Sequence, residues 1–514
     1  MNKPPRRAGR DPAVPPSNRA TPPRTREQKR ASDSDAGVKR ASGSRGPDKR
    51  AARRHARNTA RDDERSAFQR DRDRVLYSPY FRRLAGITQV VHAGEGHVFH
   101  NRMTHSIKVA QVARRLAEYI VNTRPREELD AIGGLDADVA ETAGLCHDIG
   151  HPPFGHAAEY ELQDQFKAAN IQDGFEGNAQ SFRIVTRLAL RDLESPGLNL
   201  TAASLCSILK YPWPRSSTSH SKRNKKFGFY EGDALDFKHA RSFLPETDER
   251  QSLEAAIMDW SDDVSYAVHD VDDAFRAGLV PFDRLVEDQD ERDRFVEWYA
   301  ESKIQQEVAA LETADERSQC EKAARAKLPD TKAHLHGTLL ELVDMPHAPR
   351  TAFRNTREDI GHLHHYSSTL LTRYLTVGSE HLELDVSAAS ESRLLVPATL
   401  RAQVDLLKKV MVFYVYESPA LVAQQIGQRA LIRELFLRLF EGAKSGVGKG
   451  AGMIPEPFRE TLKEIHMERR PTFERDCARL AADVICSLTE QQAVDFYRRV
   501  TGHFSGSIRD QIVY

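Results

Sequence analysis

Three histidines and an aspartate fall within ten residues, at His147, Asp148, His151 and His156. Imidazole nitrogen beside carboxylate oxygen suits a divalent transition metal, and imidazole is also the side chain most easily tuned for proton transfer near neutral pH. Further along, Asp262, Tyr266 and Asp270 recur every fourth residue, a polar stripe along one helix. Convergence of His105, His147, Asp148 and Asp262 would place two imidazoles and two carboxylates around one ion, with room for water or a substrate oxygen. Mg, Mn, Fe, Co, Ni and Zn all accept such a set, which does not choose among them. An ion so held polarises a phosphoryl oxygen or lowers the pKa of bound water. His147 and Asp148 differ by about 100° around a helix. They share an ion only from a helix end, where Gly150 and the Pro152-Pro153 pair put them.

The elements that must carry these residues are helices. Met103, Ile107, Ala110, Ala113, Ala117 and Ile120 recur at three- and four-residue spacing and predict a helix, opened by the stretch Val98–Ser106 that carries His105, with these side chains inward. Asp136 to about Cys146 reads as a second helix ending at the His-Asp pair, with Cys146 a packing residue. Residues 155–168 read as a third, placing His156 and Glu159 one turn apart on one face. From Ser252 to Phe275 the stripe Leu253, Ile257, Trp260, Val264, Val268, Val271 and Phe275 predicts one long amphipathic helix. Beyond residue 285 the chain reads as charged amphipathic helices, interrupted by a small hairpin over His381–Val386 and Arg393–Val396 and a Gly-rich loop over 442–456. No βαβ alternation and no internal repeat occur, so the class is mainly α.

The chain has 514 residues and a formal net charge of zero, which hides an asymmetry. Residues 1–60 carry 17 Lys/Arg against 5 Asp/Glu and almost no large apolar side chains. Such a segment buries too little surface to offset its ordering entropy, so it is expected to be a disordered basic tail, open to weak nucleic-acid contact through counterion release. Expected after it are a core over 61–285 and a helical C-terminal region over 286–514. Five scattered cysteines argue for a reducing compartment, with the cytoplasm the default. No apolar run approaches the length of a membrane span, and the Arg- and Pro-rich start lacks the apolar segment of a secretory signal, so it is not expected to be one.

Five stretches carry a resemblance: Phe81-Arg82-Arg83-Leu84 with Ile87-Thr88-Gln89-Val90; His100-Asn101-Arg102-Met103-Thr104-His105-Ser106; His147 through His156; Phe175-Glu176-Gly177-Asn178-Ala179-Gln180; and Asp262-Asp263-Val264-Ser265-Tyr266 through Asp270. In this order the chain resembles the deoxyguanosine triphosphate triphosphohydrolase family of HD-domain phosphohydrolases, over roughly residues 77–275. The resemblance implies an HD-domain helical bundle that hydrolyses a deoxynucleoside triphosphate to deoxynucleoside and inorganic triphosphate, with water attacking the α-phosphorus. It implies His105, His147, Asp148 and Asp262 as metal ligands, His156 with Glu159 as the acid/base pair, and His151 lining the site. It places Gln89 and Asp270 on the sugar 3′-hydroxyl, Arg102, Lys210, Tyr266 and Lys226 on the triphosphate, and Asn178 and Gln180 along the wall. It further implies a homo-oligomer, a hexamer by analogy, and a possible nucleotide activator. A phosphohydrolase acting on another nucleotide, or a regulatory nucleic-acid-binding protein of the same fold, are the competing expectations.

Overall fold

The computed structural model describes residues 48–55, 63–89, 101–193, 195–216, 222–311, 313–378, 381–387, 389–446 and 451–503. The expected tail over 1–47 and 56–60, and the loop over 90–100, lie outside the described residues. From Lys49 onward the chain forms one compact, mainly helical unit.

Three helices make its centre: Arg102–Thr123, Ala137–Cys146 and Leu253–Ser265, each packed on the other two. Each begins where the sequence offers a capping acceptor: Asn101 takes the N–H of Thr104, Asp136 those of Asp138 and Val139, and Ser252 that of Ala255. The first helix buries His105, Val109, Val112 and Leu116 along with Ala110, Ala113, Ala117 and Ile120. Ile107, expected inside, is 44% exposed, so the inward face at this end is set by His105 rather than by the nearest apolar residues. Gly144 lets the second helix come close: a Cβ there would stand 2.5 Å from the Cα of Ala110. That approach brings His147 next to His105.

The long helix expected from Ser252 to Phe275 is broken in register. Leu253–Ser265 runs into a π-helical turn, Tyr266–Asp270, before Val271–Arg276 resumes. Trp260 is buried beneath it and donates from Nε1 to the carbonyl of Tyr374, 2.9 Å away. Helices Arg357–Leu375 and Ala398–Met411 pack on the π turn. The latter leads into a π turn of its own, Val412–Tyr416. The expected hairpin is present as a two-residue antiparallel pair, Glu383–Leu384 with Leu394–Leu395. Where a loop was expected from residue 442, helix Pro419–Ser445 continues to Ser445.

The C-terminal helices close the other side. Pro419–Ser445 packs on His156–Ala168 and on Phe473–Ile485, sharing a core with Leu162, Phe166, Phe436 and Leu480. Polar bonds mark this contact: buried Glu161 takes Arg429 and Arg433, and Arg183 spans Asp233 and Asp483. Residues 49–55, expected within the tail, lie against the body: Arg50 pairs with Glu254, Arg53 with Asp71 at 2.6 Å, and Arg54 with Asp236.

Candidate active site

His147 follows the last residue of helix Ala137–Cys146, and its ring is fixed by that helix end. Its Nδ1 donates to the carbonyl of Gly144 at 2.7 Å, leaving the Nε2 lone pair buried and without a hydrogen-bond partner. Around Nε2 stand the Asp148 carboxylate at 3.4 Å and the Asp262 carboxylate at 3.5 Å. His105 brings its Nε2 to 3.2 Å from the same Asp262 oxygen. Ligand atoms of His105, His147 and Asp262 all lie within 4.8 Å of one another. Burial works against a charge on His147, but the two carboxylates overcome it and raise its pKa to about 9. The cluster therefore calls for positive charge where the proton sits, and a divalent cation on two imidazole nitrogens and a carboxylate answers that demand. The residues fit a metal ion.

Asp148, the fourth expected ligand, is shared differently. Its Oδ2 receives Arg102 Nη1 at 2.5 Å, and its Oδ1 lies 3.2 Å from His151 Nδ1. Arg102 is itself buried, aimed by the helix that also carries His105. Burial and the Arg102 charge push the His151 pKa down to about 3, so this ring is neutral across the physiological range.

A second cluster lies past the prolines. Pro152-Pro153 end the helical path, and Phe154 and Gly155 take left-handed backbone, with φ 68° and 57°, turning the chain into helix His156–Ala168. A side chain at Gly155 would meet Arg102 Nη2 at 2.7 Å. His156 projects outward, its side chain 64% exposed, and its Nδ1 bonds Glu159 Oε2 at 2.9 Å. Glu159 is buried, yet His156, Lys226 and His151 hold its carboxyl well below the usual range. Its other oxygen takes the Gly177 N–H at 3.2 Å and Lys226 Nζ at 3.3 Å. His151, His156 and Glu159 also gather within 4.8 Å. The Lys226 ammonium already neutralises this carboxylate, which suits the group to proton traffic more than to a second cation.

Gln89 reaches the site because Thr88 and Asn101 pair across the base of the intervening loop. It hydrogen-bonds Asp270, whose carboxyl burial raises to about 6 against the pull of His105 and Lys108. Asp270 Oδ1 stands 3.9 Å from His105 Nδ1, joining the Gln89–Asp270 pair to the cluster of His105, His147 and Asp262.

The chain that builds this geometry is similar to known proteins along most of its length. The HD domain family matches residues 102–267, and the phosphohydrolase-associated domain family matches residues 394–499. A deoxyguanosinetriphosphate triphosphohydrolase-like protein of Corynebacterium efficiens is 35% identical over 452 residues, covering 86% of this chain and 92% of that protein. The chain belongs to the deoxyguanosinetriphosphate triphosphohydrolase-like family. A like-named protein of Streptomyces coelicolor is 34% identical over 460 residues, 85% of this chain and 93% of that one. One from Corynebacterium glutamicum strain ATCC 13032 is 35% identical over 440 residues, 84% and 90% respectively. The HD match opens at Arg102 and closes at Ala267, and so contains His105, His147, Asp148, His156, Glu159 and Asp262.

For a member of this phosphohydrolase family, the remaining expected residues fall unevenly. Lys210 is tied to Asp262 at 3.2 Å and to Asp259 at 2.8 Å, so it braces a metal-side carboxylate and is no free cation. Lys226 is likewise engaged, with Glu159 and with Glu176 at 2.9 Å. Tyr266 shares a side-chain hydrogen bond with Tyr416 from the opposite π turn. Gln180, expected on the wall, turns away: it is fully buried and donates to Asp483 at 2.8 Å. Asn178 folds back onto Glu176. Sequence reasoning missed Asp259 and Tyr416, and gave no role to Glu176 of the Phe175–Gln180 stretch. Asp259 lies three residues before Asp262, on the same helical face but off the four-residue spacing of the stripe; Tyr416, 150 residues from its partner, leaves no local signal. Among the described residues no helix is long and apolar enough to cross a membrane.

Proposed function

We propose that this protein hydrolyses a deoxynucleoside triphosphate to deoxynucleoside and inorganic triphosphate at the site between His105 and Glu159. The observation that carries the reading is His147: a backbone carbonyl holds its Nδ1 proton, and its partnerless buried Nε2 faces His105 and Asp262. His105, His147, Asp262 and, after release from Arg102, Asp148 would hold a divalent ion. Bound there, the ion supplies Lewis-acid polarisation of a phosphoryl oxygen and a more acidic water.

The chain's own residues do the rest. His156, oriented through Nδ1 by Glu159, offers Nε2 for proton transfer at the scissile P–O bond. Neutral His151 lines the floor without adding charge. Arg102 neutralises a phosphate oxygen as it exchanges Asp148 for substrate, and Lys210, Lys226 and Tyr266 line the same approach. Gln89 and Asp270 make a polar pair suited to a sugar hydroxyl. A nucleotide activator and a hexameric assembly are part of this proposal by family resemblance alone.

The test is a product assay with each of the four deoxynucleoside triphosphates and GTP, singly and mixed, with Mg²⁺ or Mn²⁺. Wild type and Asp262→Ala run side by side. Inorganic triphosphate from wild type and none from the variant is the expected result. Monophosphate with pyrophosphate would assign a different phosphohydrolase reaction, and no product from any nucleotide or mixture would return the chain to a regulatory role.

A further inference from the structure

Far from the site just described, three histidines meet on the surface of the C-terminal half. His362 and His365 stand at i and i+3 on helix Arg357–Leu375, so they share one face of it. His347 comes from the preceding loop and lies over them. Its ring centroid is 5.0 Å from that of His365, with planes 27° apart, and 5.3 Å from that of His362, with planes 76° apart. All three are exposed. His347 adopts left-handed backbone, φ 65°, between Pro346 and Pro349, and buried Ala348 pins the loop beside it. For a residue with a Cβ that conformation is unfavourable, and the prolines limit the alternatives. A cavity of about 310 Å³ opens beside the cluster, bordered by His347, His362 and Phe275.

We propose that His347, His362 and His365 form a second metal site, an exposed tri-imidazole site for a borderline divalent ion such as Zn²⁺, Ni²⁺ or Cu²⁺, separate from the buried cluster around His147. Neutral imidazole is the commonest nitrogen ligand for these ions. Two such ligands on one helical face and a third from an adjoining loop make one side of a coordination shell, with water completing it. The His347 ring lies against each of the other two, and closing the site requires the three rings to rotate until their nitrogens converge, since their ligand atoms do not all lie within 4.8 Å of one another. The χ2 torsion of histidine is broad, so exposed rings make such rotations at small cost. Asp359, which borders the same cavity, is occupied in the capping box of its own helix, accepting the N–H groups of Arg354 and of the cap residue Thr356. A set of three imidazoles disfavours Mg²⁺ and Mn²⁺, in contrast to the mixed nitrogen and oxygen ligands around His147. Occupation would tie the loop before residue 357 to the helix that packs on the Tyr266–Asp270 turn.

The test uses the full chain without an affinity tag, stripped by a chelator and titrated with Ni²⁺ or Zn²⁺ in the His147→Ala background, which disables the buried site. One ion per chain is expected to remain bound. Adding His347→Ala, His362→Ala or His365→Ala should weaken it by roughly 100-fold or more, beyond the 10–100-fold typical of losing only an outer partner. His334→Ala, an exposed histidine on another helix, should leave it unchanged. As a readout independent of the His147 variant, Cu²⁺ bound to the otherwise wild-type chain should show an electron paramagnetic resonance signal with three nitrogen ligands that His347→Ala reduces. No retained ion in the His147→Ala chain, or one that survives all three substitutions, would overturn the proposal. Since this readout is binding, it stands or falls separately from nucleotide hydrolysis.

Discussion

The carbonyl of Gly144 decides what His147 can do. By taking the Nδ1 proton it turns Nε2 toward the carboxylates, buried and without a hydrogen-bond partner, where a proton or a cation is favoured. The same logic operates at His156, where Glu159 occupies Nδ1 and the exposed ring presents its other nitrogen outward. The two imidazoles differ in surroundings, one enclosed by carboxylates and the other open to solvent, which suits them to the different tasks proposed. His156→Ala is expected to lower kcat by about 10²–10⁴ with KM changed little, the range for loss of a positioned acid or base. Glu159→Gln should fall in the same direction and alter the pH profile of kcat, because the ring loses the charge that orients it. Steady-state kinetics across pH measures both, and a wild-type kcat in His156→Ala would remove this residue from the chemistry.

Helix contacts set the distances that those rings need. Gly144 sits where helix Ala137–Cys146 crosses Arg102–Thr123, and an added Cβ would press on the backbone of Ala110 at 2.5 Å. Neither backbone yields without moving its whole helix. Gly144→Ala should therefore cost about 1–3 kcal/mol of stability, as overpacking generally does, and should separate His105 from His147. Gly337 is the control: it lies exposed within helix Leu328–Val343, with nothing within 4 Å of where a methyl group would stand. Gly337→Ala is expected to stabilise by up to about 1 kcal/mol through helix propensity. Thermal denaturation of the pair distinguishes a tight crossing from a general intolerance of alanine. The two π turns, Tyr266–Asp270 and Val412–Tyr416, also belong to this level, since their meeting is what joins Tyr266 to Tyr416.

Contacts between distant parts of the chain hold the wall behind the site. Asp248 binds Arg250 beside it and Arg393 from the hairpin, 145 residues away, at 2.6 Å. Burial opposes ionisation there, but the Arg250 hydrogen bonds and the Arg393 charge win and hold the carboxyl down at about 2. A pKa lower in the folded than in the unfolded chain contributes stability that is complete above the unfolded value near 3.9 and fades as pH falls toward 2. Discounted for solvent screening, the contribution is about 1 kcal/mol. Asp248→Asn should lose it at neutral pH, and the gap between wild type and variant should narrow as pH drops from about 4 toward 2. Chemical denaturation at pH 7 and pH 3 checks the sign; a gap that widens in acid would contradict it. Arg83 performs a similar long-range task at the motif itself, donating to the carbonyls of His151 and Leu488 at 2.7 and 2.8 Å.

Much of this was legible in the chain. Helical class, a helix opening within residues 98–106, the helix end at Cys146 and the pairing of His156 with Glu159 follow from local periodicity and proline, which act over a few residues and leave local signals. The candidate metal set of His105, His147, Asp148 and Asp262 came instead from the order of the five motifs and the family they resemble. Tertiary structure alone decided which groups those residues face. It buried His105 and exposed Ile107, gave Asp148 to Arg102, set Lys210 between two carboxylates and turned Gln180 toward Asp483. It also brought Tyr416 and the His347 cluster into place. Sequence spacing determines which side chains share a face of one helix; only the crossing of helices determines what lies opposite that face, and a buried charge takes the partner that crossing supplies.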